Sequence, residues 1–477
     1  MPFNWTYHVT ARTLFTVLLL AGLACAGPAD ARLAGPAQAG HTHPAKDLAD
    51  IRKTKVLRVL VNQSRNSSGT VKGEPVGVEY HRLRALEHFL NTQKGVTQQV
   101  HVKLIPKAKG QLPGALLRGE GDIAAPGELF EAQAVRQLAS SAPVVDRVAL
   151  VLVGRKGARS VARAEQLSGR TVALVNASAA GAAIEALNQQ LALRKRAPVK
   201  VEWVDPTLAV EDVLEMVQAG VYPLTVVERP IAERWARVLP KLRLDTRVQL
   251  GKPQAVRWYV RRDTPALQDA VNRFLAGYRA PANQNAVFER IYRSQYRMHN
   301  PLANRPRQRL EAVRTVLQRH GANQQIDWLN LAALAYKEST LDPKARGGGG
   351  AHGLMQITPS AAQRVGVSNI QTVDGNVQAG ARYLALIRRK FFSSPALNDR
   401  ERMAFVLAAY NLGPERVQAM RAEARRRGLN PNQWFFQTER VAMEQVGMGP
   451  VNFVNSVNKY FLAFDRERLA LEGTRRR

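Results

Sequence analysis

Short apolar runs that alternate with helical segments occupy the first half of the chain. Runs of strand length lie at residues 56–61, 100–105, 121–124 and 148–153, and amphipathic stretches with helical spacing lie between them. Short apolar strands that alternate with helices are typical of an α/β sheet. The pattern therefore predicts an α/β architecture for this part of the chain.

A second set of alternating elements follows and then turns back. It contains predicted strands at 171–175, 199–203 and 224–228, with helices between them, and a last strand at 256–260. The run at 148–153 leads out of the first set, and the run at 256–260 leads back into it. We therefore expect two α/β lobes joined by two crossing strands, which is the arrangement of a hinged clam-shell.

After residue 301 the apolar positions recur with helical spacing, which predicts an all-α domain. Asp327 is expected to cap a helix that starts at Trp328, and Thr358 followed by Pro359 marks a second helix start. The tail ends in three arginines and is expected to be disordered. The predicted boundaries are an α/β domain at 50–280, a connector at 281–300 that leaves two separable domains, a helical domain at 301–465 and a basic tail at 466–477.

Length and charge limit the possible partners. The chain has 477 residues and a formal net charge of +31, which predicts several domains and favours an acidic partner such as nucleic acid, anionic lipid or a carboxylate-rich polymer. The cations are spread along the whole chain with few aromatic residues among them, unlike a stacking platform for nucleic acid. We therefore do not expect nucleic acid as a partner.

The N-terminus is typical of an exported protein. Arg12 precedes an apolar run at 14–24 that is too short to span a bilayer, and a small-x-small cleavage site ends at Ala31. We predict a signal peptide at 1–31 and a flexible linker at 32–49. The mature protein is then expected in the periplasm, associated with the outer membrane or the cell wall.

The one cysteine of the chain, Cys25, lies before this cleavage site, so the mature chain would have no cysteine. That suits an oxidising compartment in which no disulfide is needed. The alternative is cleavage before Cys25 and lipidation, with peripheral membrane association, although residues 22–24 fit a lipobox poorly.

Over about residues 50–280, the order of elements resembles a family 3 periplasmic solute-binding domain. The resemblance is carried by Leu57-Arg58-Val59, Gly77-Val78-Glu79-Tyr80, Gly121-Asp122-Ile123 and residues 210–228. It implies a ligand between the lobes, either a muropeptide or an amino-acid-like compound. Amino-acid binders of this family clamp the ligand carboxylate with an arginine.

The clamp position is Ala134 here, with Arg136 two residues further on, and Glu228 is the acid expected to meet a ligand amine. A clam-shell that serves only as a regulatory or docking module is an open alternative.

The helical part, about 302–465, resembles the lytic transglycosylase domain with the goose-type lysozyme fold. The resemblance is carried by Glu338-Ser339, by 353–357 (Gly-Leu-Met-Gln-Ile), by 379–384 (Ala-Gly-Ala-Arg-Tyr-Leu) and by 409–411 (Ala-Tyr-Asn). It implies that the substrate is a peptidoglycan glycan strand and that Glu338 is the catalytic residue. The residues implied to bind substrate are Ser339, Met355, Gln356, Tyr410 and Asn411.

Three positions depart from the pattern of this domain. Many relatives carry a serine where this chain has Gly347, and they carry an acid and a tyrosine where it has Gly449 and Phe453. These changes concern the substrate subsites and not the proton transfer.

The chemistry of glycoside cleavage explains why one glutamate matters. Glu338 follows the apolar residues 334–336 and precedes a glycine loop, so we expect a partly buried carboxyl with a raised pKa. The nearest second carboxylate is Asp342, but an aspartate before proline in a turn is more often structural. Without a partner, Glu338 would serve as acid and then as base, and the resemblance implies a 1,6-anhydromuramoyl product.

The sequence also bears on three other classes of function: a receptor, a hydrolysing lysozyme and a metal- or cofactor-dependent enzyme. A solute-binding receptor, docked on the wall by a non-catalytic helical domain, is the main alternative to an enzyme. A hydrolysing lysozyme would need a base to activate water, and the sequence offers no clear candidate. The histidines lack metal-ligand spacing and the glycine run lacks a phosphate-loop context, so no metal or cofactor is predicted.

Overall fold

The computed structural model describes residues 44–473, apart from residues 66, 68, 76 and 96. The predicted signal peptide, Cys25, most of the predicted linker and residues 474–477 lie outside the described residues. Within the described part, no helix is both long and apolar enough to cross a membrane.

The first lobe opens the α/β domain, and the predicted strands are present in it. A short 3₁₀ turn, Lys109–Gln111, precedes its third helix. Its elements are α1 (Leu48–Thr54), β1 (Val56–Asn62), β2 (Thr70–Val71), β3 (Glu74–Pro75), α2 (Val78–Asn91), β4 (His101–Lys107), α3 (Leu112–Leu117), β5 (Ile123–Ala125) and α4 (Ala132–Val135).

The second lobe follows, and the chain then returns to the first. A 3₁₀ turn, Ala164–Leu167, stands at its start. Its elements, with the two crossing strands and the helix after them, are β6 (Ala139–Arg155), β7 (Thr171–Leu174), α5 (Ala180–Leu193), β8 (Lys200–Trp203), α6 (Val210–Ala219), β9 (Leu224–Glu228), α7 (Arg229–Ala236), β10 (Leu242–Val260) and α8 (Pro265–Gly277).

Two long strands join the lobes. The sheet order is β4-β1-β5-β10-β6-β9-β7-β8. At one end β10 pairs with β5 of the first lobe, and along its length it runs antiparallel to β6, which pairs with β9 of the second lobe. The predicted two-lobed α/β domain with two crossing strands is confirmed, and the crossing strands are longer than the apolar runs that predicted them.

The second domain is all-α, as predicted, and two of the segments between its helices contain a short turn of another helical type. These are a 3₁₀ turn at Gly348–Gly350 and a π-type turn at Trp434–Thr438. The helices are α9 (Gln284–Tyr292), which precedes the domain, then α10 (Asn304–Gln324), α11 (Trp328–Ser339), α12 (Pro359–Arg364), α13 (Val373–Phe391), α14 (Asp399–Leu412), α15 (Pro414–Arg426), α16 (Glu439–Gln445), α17 (Met448–Arg466) and α18 (Arg468–Glu472).

Both predicted helix caps are confirmed. The Asp327 side chain accepts a hydrogen bond from the Leu329 N–H at 3.0 Å, and the Thr358 hydroxyl accepts one from the Ala361 N–H at 3.3 Å. These bonds satisfy main-chain donors that have no partner inside a helix.

The predicted connector at 281–300 contains a packed helix, α9, so the expectation of a free link between separable domains was wrong. Phe288 and Tyr292 of α9 are buried, and their rings lie 4.9 and 5.7 Å from the ring of Trp235 in α7. One continuous core of buried apolar side chains extends from the second lobe through this connector into the helical domain.

Two end segments are also ordered where disorder was predicted. Helix α1 begins at Leu48, inside the predicted linker, because Asp47 caps it. Helix α18 lies inside the predicted tail, with Leu471 buried and the Glu472 carboxylate accepting a hydrogen bond from the Trp328 indole N–H at 3.0 Å.

Candidate active site

Glu338 lies in the last turn of α11. The helix buries an apolar face that includes Leu334 and Ala335, and it ends where Thr340 adopts a left-handed conformation at φ 53°. The carboxyl is half-buried, and this burial raises its pKa to about 7, while the neighbouring Lys337 lowers it. No hydrogen bond or ion pair to this carboxyl is found among the described residues. A carboxylic acid with such a pKa can donate a proton near neutral pH.

Tyr410 lies close to Glu338 but bonds elsewhere. Its hydroxyl donates to the main-chain carbonyl of Met355 at 2.7 Å and not to the Glu338 carboxyl. Burial raises the pKa of Tyr410 well above its ordinary value, and the Glu338 charge raises it further. The hydroxyl therefore stays protonated and ties α14 to the segment at 353–356.

Met355, one of the residues implied to bind substrate, packs its side chain into the core of the helical domain. Its side chain is fully buried, and a Cβ on Gly380 of α13 would lie only 2.8–2.9 Å from its atoms. The missing side chain at Gly380 makes the room that Met355 fills. What Met355 offers the site is its main-chain carbonyl.

Asn376 organises the same segment, and sequence reasoning missed it. Its side-chain oxygen accepts a hydrogen bond from the Met355 N–H at 2.9 Å, and its amide nitrogen donates to the His352 carbonyl at 2.8 Å. The side chain is buried in the first part of α13, where an asparagine is otherwise unusual. That buried polar position, in the helix that carries the 379–384 motif, was the available signal.

Gln356 folds back onto its own loop. Its side-chain nitrogen donates to the carbonyls of Gly353 at 2.9 Å and Ala345 at 3.2 Å. Its side-chain oxygen lies where a Cβ on residue 347 would stand, so Gly347 is what allows this arrangement. The oxygen, and not the nitrogen, is the part of the amide left for a ligand.

Of the remaining side chains, Ser339 and Asp342 hydrogen-bond within the turn after α11, and Asn411 is exposed. The Ser339 hydroxyl lies 3.0 Å from each of the Ala335 and Leu354 carbonyls and accepts from the Asp342 N–H at 3.1 Å, so it braces the helix end instead of facing a substrate. The Asp342 carboxylate accepts from the Lys344 N–H at 3.0 Å, as expected of a turn residue. Asn411 is exposed at the end of α14.

The two other departures lie on α17. A Cβ on Gly449 would meet nothing within 4 Å, and Phe453 is buried. On the same helix, the ring of Tyr460 packs 4.5 Å from the ring of Tyr336 in α11, so α17 supports the helix that carries Glu338.

The two predicted ligand residues of the first domain lie in different places. Arg136 is exposed at the end of α4, and its carbonyl accepts from the Arg262 guanidinium at 2.7 Å. Glu228 is buried, and its carboxylate accepts from the Leu129 N–H at 3.0 Å, so it links β9 to the first lobe.

A different pair lines the interlobe space. The buried Lys109 ammonium lies 3.0 Å from the Glu128 carboxylate, beside a cavity of about 190 Å³. Phe436 of the helical domain lines the same cavity. Nothing in the sequence around Lys109 distinguishes it from a solvated lysine in a turn.

Comparison with known proteins identifies the helical part. Residues 315–433 match the family described as Transglycosylase SLT domain. The chain is 28% identical over 408 residues to the membrane-bound lytic murein transglycosylase F of Desulfosudis oleivorans, with 82% of each chain covered. It is 26% identical over 435 residues to the protein of the same name from Ectopseudomonas mendocina, with 87% of this chain and 85% of that one covered.

Two solved structures are similar to about half of this chain. An ancestral arginine-binding protein bound to glutamine is 18% identical, with a TM-score of 0.39, and 50% of this chain and 98% of that one are covered. An amino acid ABC transporter substrate-binding protein from Streptococcus pneumoniae bound to L-arginine is 15% identical, with a TM-score of 0.40, and 53% of this chain and 100% of that one are covered.

Proposed function

We propose that this protein, a lytic transglycosylase of peptidoglycan with an SLT domain, uses Glu338 as its single acid and base. The bond that it cleaves is the β-1,4 linkage between N-acetylmuramic acid and N-acetylglucosamine. The observation that carries the proposal is the half-buried carboxyl of Glu338, whose pKa burial raises to about 7. An acid in this range donates a proton efficiently near neutral pH.

The reaction proceeds in two proton transfers. Glu338 donates its proton to the glycosidic oxygen as the C1–O bond breaks. The C6 hydroxyl of the same muramic acid then attacks C1, and its proton passes to the Glu338 carboxylate. A 1,6-anhydro bond forms, no water is consumed and Glu338 ends protonated, ready for the next cycle.

Hydrolysis would need a second carboxylate to activate water, and the nearest candidate, Asp342, already has other partners. The Asp342 side chain accepts from the Lys344 N–H at 3.0 Å and lies 3.9 Å from the Arg309 guanidinium, so it is engaged in its turn. Gln356, through its free side-chain oxygen, and the exposed Asn411 remain the predicted contacts to the sugar amides.

Two measurements test the proposal: the activity of a Glu338 variant and the chemical identity of the wild-type products. Glu338→Gln is expected to lower muropeptide release by about a thousandfold or more, because both proton transfers are lost. Asp342→Asn is the matched control and should keep most of the activity. Mass spectrometry should find anhydro ends on the wild-type products. Free reducing muramic acid ends would instead indicate a lysozyme.

We also propose that the α/β domain regulates the SLT domain. The interlobe cavity of about 190 Å³ is of the size of an amino-acid-like group, and Phe436 of the helical domain lines it together with Lys109. A muropeptide that places such a group there would change the contact between the domains. Added muropeptides should alter the rate of the mature wild-type chain but not that of Lys109→Met.

The substrate sets the location of the protein. Because peptidoglycan lies outside the inner membrane, we propose a periplasmic enzyme associated with the wall or the outer membrane. Fractionation of cells that express the full chain tests this, and Cys25→Ala separates lipid anchoring from cleavage after Ala31. The receptor alternative predicts wall binding without any released muropeptide.

A further inference from the structure

A cavity of about 860 Å³ lies where the second lobe, the connector and the helical domain meet. This volume is in the range of small-molecule sites, which is about 300–1,000 Å³. Six cationic side chains line the cavity, and Asp342 is the carboxylate among its lining residues. The six are Arg155, Lys241, Arg293, Arg297, Arg305 and Arg309.

Most of these cations have no counter-charge. Arg293 pairs with Glu289 at 2.5 Å, and Arg309 lies 3.9 Å from Asp342. For the other four, no ion pair or side-chain hydrogen bond is found within the described ranges. Like charges gathered in one concave space raise its positive potential and attract anions.

The cations come from three separate parts of the fold. Arg155 and Lys241 belong to the second lobe, Arg297 to the connector and Arg305 to α10 of the helical domain. The full set exists only when these parts are packed together as they are here. A ligand that contacts all of them would therefore stabilise this arrangement.

The cavity also reaches the end of the helix that carries Glu338. Tyr336 and Thr340 of this region line it, and the Arg309 guanidinium donates to the Thr340 carbonyl at 2.9 Å. Arg309 thereby caps the C-terminus of α11 from the cavity side. An anion that binds Arg309 would compete with the Thr340 carbonyl for this guanidinium and so change the contact at the end of α11.

We infer that this cavity is a binding site for a compact anion with several carboxylate or phosphate groups. Arginine guanidinium groups recognise both chemistries through paired, charge-assisted hydrogen bonds. The site is distinct from the space between the lobes and from Glu338, and it is formed by the contact between the domains.

Calorimetry on the mature chain at fixed ionic strength tests the inference, with citrate and tripolyphosphate as the two probes. Saturable one-to-one binding of either probe is expected, and the tighter probe identifies carboxylate or phosphate as the preferred group. In Arg297→Gln/Arg305→Gln the Kd should rise about tenfold or more, because two charge-assisted contacts are lost.

The matched control is Lys195→Gln/Arg196→Gln, which removes the same charge from an exposed turn of the second lobe. It should leave the Kd unchanged. Arg155→Gln, on the second lobe, should weaken binding as well and serves if the first double variant unfolds. Equal weakening in both double variants, or no saturable binding of either probe, would overturn the site and leave only a basic surface.

Discussion

The Tyr410 hydroxyl donates its hydrogen bond to the Met355 carbonyl at 2.7 Å and not to the Glu338 carboxyl beside it. The motifs at 409–411 and 353–357 are therefore joined by a hydrogen bond from a side chain to the main chain. Within the described structure, the Glu338 carboxyl has no hydrogen-bond or ion-pair partner, and burial raises its pKa to about 7.

Tyr410→Phe should accordingly act through position and not through acidity. We expect a loss of about 1 kcal/mol in the free energy of unfolding, since one hydrogen bond is removed, and a lower kcat. The pH at which the rate declines should stay the same, because burial sets the pKa of Glu338.

Tyr383→Phe is the matched control for this variant. Its ring lies 5.7 Å from that of Tyr410, and no hydrogen bond of its hydroxyl is found among the described residues. It should leave both stability and kcat near the wild-type values. A shifted pH profile in Tyr410→Phe would show instead that the hydroxyl tunes Glu338 directly.

The sequence predicted the elements better than it predicted the contacts. Strand-length runs and caps such as Asp327 depend on local chemistry, so they were placed correctly. The connector was mistaken for a free link because its polar residues mask Phe288 and Tyr292, which are buried only through contact with another helix.

In the candidate site, too, local features could be predicted from the sequence and long-range contacts could not. Glu338 could be predicted with its raised pKa, since apolar neighbours along the helix already imply burial. The inward direction of Met355 and the internal bonds of Ser339 depend on segments distant in sequence. Local patterns carry no information on such contacts, and the role of Asn376 was missed for the same reason.

The rate of muropeptide release should decline as the pH rises through about 7. The first step needs the protonated acid, and the pKa of Glu338 is about 7, so the active fraction falls above that pH. Lys337 lowers this pKa through its charge. Lys337→Met is therefore expected to move the decline to higher pH.

Initial rates between acidic and alkaline pH measure this shift, and Lys344→Met supplies the control. Lys344 is an exposed lysine in the turn after α11. It should leave the profile in place. If neither variant moved the decline, a group other than Glu338 would control the pH dependence.

Gly347→Ser should disturb the loop at 345–356. A Cβ there overlaps the side-chain oxygen of Gln356, so the amide must leave its bonds to Gly353 and Ala345. We expect a higher KM and a loss of about 1–3 kcal/mol in stability, typical of an overpacked site.

Gly348→Ser is the control, because a Cβ at Gly348 meets nothing within 4 Å. Kinetics and thermal unfolding of the two variants should therefore differ although they are neighbours. Unchanged KM in Gly347→Ser would mean that the amide position does not matter for the substrate.

Lys459 of α17 joins the helical domain to the second lobe. Its buried ammonium pairs with Glu215 and lies 3.2 Å from Asp212, which in turn pairs with Arg65 of the first lobe at 2.6 Å. The opposite charges of Glu215 and Asp212 hold its pKa above the ordinary lysine value, although burial alone would lower it. Lys459 therefore stays charged near neutral pH.

Lys459→Met should cost about 3–5 kcal/mol in the free energy of unfolding, because it leaves a buried carboxylate without its cation. Arg466→Met is the control on the same helix, since it breaks a more exposed pair with Glu202 at 2.7 Å and should cost less than about 1 kcal/mol. Urea unfolding of the mature chain measures both. Equal, small effects would mean that the apolar core shared by the two domains, and not this ionic contact, holds them together.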